Sequence, residues 1–250
     1  TSGSYRLYGI DFRSPQVLES RKKMGGIVES VSVIKNMTAL ENLQFQRTVS
    51  GSKKTDDDLL RILNEVGLDA EAVRNRKAGN FSLGMRQRLG IAITLISDPK
   101  LIILDEPMNG LDPQGFVEVR ETILRLNRQG ITFLISSHIL SELDKICNKV
   151  GFISHGELLE EISMSDLHKK SRKHVDITCN DPEKLLSALG TLSVKETETV
   201  QNVCKIYDDI DINLILKAIV ENDIRILGLH VNNDTVEDHY FRLIERRNAR

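Results

Sequence analysis

The segment "KLIILDEPMNGLD" (100–112) limits the possible folds more than any other part of the chain. Its core "LIIL" offers no polar residue to either side, and "ITFLIS" (131–136) reads as a second β-branched, apolar strand. A strand that is apolar on both faces must be covered on both, which is the condition of a parallel sheet lying between helices. Between the two strands, Asp112 and Pro113 stand as N-cap and first residue of a helix running to about Arg128, and Gly130 ends it. This alternation of buried strands with helices predicts an α/β domain.

Helix starts are marked elsewhere by side chains able to accept the free N–H groups of a first turn. Thr38 with Glu41, and Thr55 with Asp58, have the spacing of capping boxes. The second helix carries Leu59, Ile62, Leu63 and Val66 on one face and stops at Gly67. A longer helical segment opens at Ser82 and runs to about Ser97, where Asp98-Pro99 breaks it ahead of the strand 101–104. A helix over 140–148 and a strand over 150–154 follow. The opening "TSGSYRLYGIDF" passes from turn residues into the alternating Tyr5, Leu7 and Ile10, and reads as a chain that starts within a fold.

From about residue 170 the rhythm changes. "HVDITC", "DPEKLLSALG", "LSVKET", "NVCKIY", "DINLILKAIVEND" and "IRILGLH" read strand, helix, strand, strand, helix, strand, and a closing helix starts at Thr235 with Asp238. That order predicts a small split β-α-β unit of the α+β class. The expected organisation is therefore an α/β domain over 1–168 and an α+β accessory domain over 169–250. The basic run "HKKSRKH" (168–174) is read as a solvated linker, with contact to anionic lipid headgroups as the alternative.

The balance of 34 basic against 36 acidic residues leaves a net charge of −2, which argues against a general affinity for nucleic acid. Cys147, Cys179 and Cys204 are odd in number and lack CxxC spacing, so reduced thiols are expected and not a disulfide frame or zinc site. The longest apolar stretch, "LGIAITLIS" (89–97), falls well short of the ~18 residues of a membrane span.

The chemistry gathers at strand ends. Asp105, at the carboxyl end of a buried strand, can fix a magnesium ion through oxygen and water, and Glu106 beside it can orient or deprotonate an attacking water. His138 ends the next apolar strand, and strands of a parallel sheet place such ends along one crevice. Ser82 and Gly84 open a helix, where free N–H groups and the helix dipole favour an anion.

Four segments, "FSLGMRQRLGIA" (81–92), "LIILDEP" (101–107), "NGLDP" (109–113) and "SSH" (136–138), resemble the signature, Walker B, D-loop and H-loop of an ATP-binding cassette, in that family's order. The resemblance implies a P-loop NTPase sheet with a helical subdomain, ATP and Mg²⁺ as cofactors, and a head-to-tail pair of cassettes on a membrane-spanning permease, peripheral to the cytoplasmic face. It implies that Asp105 holds the metal, that Glu106 and His138 carry catalysis, and that Ser82, Gly84, Asp112 and Glu29 face the nucleotide or its magnesium. Two positions depart from the pattern: Leu83 and Met85 replace a glycine and a glutamine of the signature, and Glu29 stands where most cassettes have a glutamine. With "SLGMRQR", Glu29 makes the chain similar to the ATPases of bacitracin and lantibiotic export and immunity systems.

No G-x-x-x-x-G-K-[ST] occurs in the 250 residues. "GSKKT" (51–55) is off register and leads into an acidic helix start, whereas 1–9 matches the tail of the segment that follows the phosphate loop in the family. The expectation is a partial cassette, truncated just after its phosphate loop. Losing three hydrogen bonds to charged phosphate, at roughly 1.5–3 kcal/mol each, weakens binding by ~10³ or more, so these 250 residues alone are expected to hydrolyse ATP negligibly. The expected function is the ATPase subunit of an exporter of peptide antibiotics or similar amphipathic compounds. The alternative is a non-hydrolysing regulatory module paired with an intact cassette.

Overall fold

A computed structural model describes residues 2–28, 31–192, 194–208 and 210–248. Glu29 lies outside the described residues. The chain divides into two compact units, Thr1–Ile139 and Leu140–Arg250.

The first unit opens with a small antiparallel pair, β1 (Arg6–Leu7) and β2 (Ile10–Asp11), then α1 (Val17–Arg21) and β3 (Met24–Ile27). Four helices follow: α2 (Ala39–Ser50), α3 (Asp56–Glu65), α4 (Ala70–Val73) and α5 (Leu83–Leu95). β4 (Leu101–Asp105), α6 (Pro113–Arg128) and β5 (Thr132–Ser136) complete it. β3, β4 and β5 pair in that order and in parallel, with β4 in the centre.

Both expected capping boxes are present, at Thr38 with Glu41 and at Thr55 with Asp58, and Ser82 and Asp112 cap α5 and α6. The apolar face of α3 is buried as its spacing requires, with Leu59, Leu63 and Val66 essentially without exposure. On β4, Ile102 and Leu104 are fully buried and join Leu89, Ile91 and Ile123 in the core. β5 departs from the expected two-sided burial: it pairs on one side only, and Leu134 is 60% exposed.

The second unit begins with α7 (Leu140–Leu143), shorter than the expected helix over 140–148. Beyond Leu143 the N–H groups of Lys145 and Ile146 reach back three residues, which tightens the chain into turns before it reverses. β6 (Lys149–Ser154) and β7 (Glu157–Ser163) then form a hairpin across His155 and Gly156, both with positive φ, at 50° and 78°. α8 (Met164–Lys170) leads into the α+β part: β8 (Lys173–Cys179), α9 (Pro182–Gly190), β9 (Thr197–Val200), β10 (Val203–Ile206), α10 (Ile212–Glu221), β11 (Ile226–Asn233) and α11 (Val236–Asn248). Its sheet has the order β11-β8-β10-β9 with every neighbour antiparallel, which is the split β-α-β arrangement expected from the sequence. One face of this sheet packs on α9 and α10 through Ile177, Cys179, Leu185, Leu189, Cys204 and Ile215. The cysteines are free thiols, and burial pushes those of Cys147 and Cys204 up.

Three local expectations are corrected. The compact units divide at 139/140 and not near 168, because Val150, Phe152 and Ile162 of the hairpin share a core with Val236, Tyr240 and Leu243 of α11. The basic run is folded, with Lys169 and Lys170 closing α8 and Lys173 and His174 opening β8. The second strand of the α+β part forms at 197–200, from the last residue of the expected segment 192–197 onward, since the N–H groups of Lys195 and Glu196 turn aside to the Asp208 carboxylate.

Candidate functional site

The parallel register sets Asp105, the last residue of β4, opposite Ser136, the last of β5. The Ser136 hydroxyl donates to Asp105 Oδ1 at 2.5 Å. The Glu106 N–H then donates to both the carbonyl oxygen and Oγ of Ser136, at 3.2 and 3.0 Å. Ser136 thus ties the two adjacent acids to the neighbouring strand end.

Glu106 itself leaves the strand. Its φ is +49°, in the left-handed region that a residue with a Cβ adopts only at a cost, and such strain gathers at functional positions. The bend lets one Glu106 carboxylate oxygen meet His138 Nδ1 at 2.8 Å. His138 is two-thirds exposed and Glu106 less than one-third, so the imidazole stands outside the carboxylate. Asp105, Glu106, Ser136 and His138 form one hydrogen-bonded chain along the carboxyl ends of β4 and β5. The motif reading gave Ser136 no role; its only signal was a hydroxyl in register with Asp105 on the next strand.

The turn after Glu106 is built equally tightly. The Asn109 N–H reaches the Glu106 carbonyl at 3.1 Å, Met108 is buried, and Gly110 supplies a φ of +72°. Asp112 Oδ1 accepts the Gly115 N–H at 2.9 Å, so its carboxylate caps α6. Ser82 does the same for α5, accepting the Met85 N–H at 3.1 Å.

Gly84 has a steric reason to be glycine. A Cβ there would stand 3.3 Å from the Gly115 Cα, so the starts of α5 and α6 pass backbone against backbone. Leu83, one of the departures from the signature pattern, lies over Gly110, where a Cβ would meet its methyl at 3.3 Å. The turn 109–112 and the start of α5 are therefore neighbours. Arg88 braces the same pair of helices from within, with its guanidinium on Glu118 at 2.7 Å and on the Gly67 carbonyl; burial lowers its basicity. Among the described residues, no hydrogen bond joins Ser82 or Gly84 to the chain from Asp105 to His138, and no cluster of three His, Cys, Asp or Glu side chains is placed to hold a metal by itself.

The chain is 38% identical over 98% of its length to a bacitracin transport ATP-binding protein of Bacillus licheniformis, covering 80% of that protein. The chain belongs to the ABC transporter ATP-binding family. The family described as ABC transporter matches residues 1–109. A bacitracin transport ATP-binding protein of Enterococcus faecalis is 34% identical over 98% of the chain and 79% of its own length. A lantibiotic transport ATP-binding protein of Streptococcus pyogenes is 43% identical over 161 residues, 64% of the chain and 67% of its own length. Among solved structures, MJ1267, an ATP-binding cassette of an ABC transporter in its ADP conformation, matches 61% of the chain and 66% of its own, with a TM-score of 0.53 and 25% identity. The cbiO1 protein of Clostridium perfringens, part of an ABC transporter complex, shares the fold at a TM-score of 0.56 over 65% of the chain and 66% of its own. The mixed α/β fold is thus shared with solved cassette structures.

Proposed function

We propose that these 250 residues supply the acid pair and signature helix of the ATP-binding and ATP-hydrolysing subunit of an ABC transporter that moves peptide antibiotics or similar amphipathic compounds. The observation that carries this reading is the hydrogen-bonded chain Asp105, Ser136, Glu106, His138 at the carboxyl edge of a parallel sheet. The kinds of cargo named for the bacitracin and lantibiotic relatives support the choice of substrate class.

The residues suit Mg²⁺ and a phosphate chain. Asp105 offers a hard oxygen at the strand end, and the Ser136 hydroxyl fixes the other carboxylate oxygen, so Asp105 is oriented to hold magnesium that keeps part of its water. Glu29, outside the described residues, is proposed as a further acid on the magnesium side. When bound, Mg²⁺ and ATP supply a phosphoryl group whose charge is already partly neutralised.

Glu106 is the group that orients a water and accepts its proton. Its backbone is pinned through Ser136 and its carboxylate is held by His138, so both ends of the side chain are fixed before a substrate arrives. With its ring anchored on Glu106, His138 is placed at the crevice where a second ring nitrogen can meet developing phosphate charge. Ser82 and Gly84 offer the N-terminus of a 13-residue helix to a terminal phosphate held by a second cassette. Asp112 keeps the adjoining turn in shape by capping α6 and faces the same ligand through that turn. The partners are a second ATP-binding subunit, head to tail, and a membrane-spanning permease that holds both at the cytoplasmic face. Among the described residues no helix is long and apolar enough to cross a membrane, which is why the reading needs that permease.

The test is survival. Cells carrying the subunit with its permease are challenged with cyclic and lanthionine-containing peptide antibiotics. The reading expects protection by the natural protein and none by Glu106→Gln; equal protection by both would remove it.

A further inference from the structure

A second cluster of charge lies in the unit Leu140–Arg250. His239, Arg242, Leu243 and Arg246 recur at three- and four-residue spacing on α11 and so share one stripe of that helix. The stripe lines an open cavity of ≈310 Å³ together with Glu160 of β7, Lys170 at the end of α8, and Arg172 just before β8. That volume lies at the small end of ordinary ligand sites. Four permanent cations and a histidine against one carboxylate is an unusual lining.

Internal ion pairs account for part of this charge. Glu160 takes the His239 ring nitrogen at 2.5 Å and Lys170 at 3.3 Å, and the hydrogen bond from His239 holds its carboxyl below the ordinary value. Arg172 and Arg242 share Asp234, whose side chain is almost wholly buried, and Arg172 also meets Glu196 and stacks over Tyr207 at 4.0 Å. Glu160, Asp234 and Glu196 together offset three of the four cations. Arg246 carries no ion pair among the described residues, and its guanidinium has all its donors left for a ligand.

Arginine forks arranged around a small space suit a tetrahedral anion, which accepts two parallel hydrogen bonds from each fork and neutralises the surplus charge. Arg172 is held in advance by Asp234 and Tyr207, and Arg242 by Asp234, so little side-chain freedom is lost on binding. Leu243 gives the cavity one apolar wall, fitting an organic portion next to the anion. We propose that this cavity binds a phosphate- or diphosphate-bearing ligand, separate from the nucleotide site of the first unit.

The experiment uses the full chain with inorganic pyrophosphate as probe, followed by titration calorimetry at low ionic strength. Saturable one-to-one binding is expected, weakened about tenfold or more in Arg246→Gln and in Lys170→Gln and unchanged in Lys217→Gln on α10, since one hydrogen bond to a charged group is worth about that factor. Arg246 and Lys170 are exposed positions, and a circular-dichroism melt matching the parent shows that each variant is folded. Co-sedimentation with phosphatidylglycerol vesicles but not phosphatidylcholine vesicles, competed by pyrophosphate, assigns the ligand to a lipid headgroup. Pyrophosphate binding without sedimentation assigns it to a soluble phosphate compound. Absence of saturable binding to either probe, or binding that both substitutions leave unchanged, overturns the proposal.

Discussion

Replacing Ser136 with alanine removes a single oxygen, and the structure fixes what goes with it. The hydroxyl donates to Asp105 and also receives the Glu106 N–H, but that N–H keeps its second acceptor, the Ser136 carbonyl at 3.2 Å. The net loss is one hydrogen bond to a carboxylate, worth roughly 1.5–3 kcal/mol where water is excluded. Ser136 is exposed and Asp105 half-buried, so water restores much of this in the folded protein, and stability should fall by no more than about 1 kcal/mol. On the proposed role of Asp105 the larger effect is positional, because its carboxylate is then free to turn away from the magnesium it would hold. In the assembled transporter, Ser136→Ala should raise the magnesium concentration for half-maximal ATP hydrolysis about tenfold, equivalent to ~1.4 kcal/mol, with little change in the maximal rate. Steady-state ATPase assays across a magnesium series measure both quantities. An unchanged magnesium requirement would refute the link between Ser136 and Asp105; a fall in maximal rate alone would mean that Ser136 acts through Glu106.

Gly84→Ala should destabilise the first unit by about 1–3 kcal/mol, because its Cβ meets the Gly115 backbone, which cannot move aside without parting α5 from α6; urea unfolding measures it. Ile177→Ala, in the centre of β8 and without exposure, should cost the second unit about 2–5 kcal/mol, seen as a separate, earlier transition in calorimetry. The depressed Glu160 carboxyl contributes stability that is present above its ordinary value of 4.5 and is lost as pH falls through its folded value. Thermal melts on the acid side of that value should therefore converge for the natural protein and Glu160→Gln, and separate above it.

The features carried by local residue patterns were legible in the sequence. Thr38 with Glu41, Thr55 with Asp58, Ser82 and Asp112 mark helix starts because a cap is satisfied within three residues of itself. The split β-α-β order was readable from alternating strand and helix patterns, and the acid pair with His138 from motifs at strand ends. What stayed hidden depends on distant partners. β3, "MGGI", has two glycines and a single β-branched residue, Ile27, and exists through its pairing with β4. β7, "ELLEEIS", reads as acidic until β6 pairs with it. The division at 139/140 follows from α11 covering the β6-β7 hairpin across about seventy residues of chain. Ser136 gained its role from strand register, and the Glu106–His138 pair from a positive φ that no local pattern announces.

The central claim is that Glu106 activates the water in a site whose nucleotide affinity is set elsewhere. Glu106→Gln keeps the shape of the side chain and its place beside His138 but cannot accept a proton. ATP hydrolysis by the assembled transporter and nucleotide binding by the same preparation, measured side by side, separate the two functions. The account predicts hydrolysis lowered by about 10²-fold or more, with the nucleotide dissociation constant changed by less than about threefold. Hydrolysis within about twofold of the natural protein, beyond the reach of any lost general base, would contradict it.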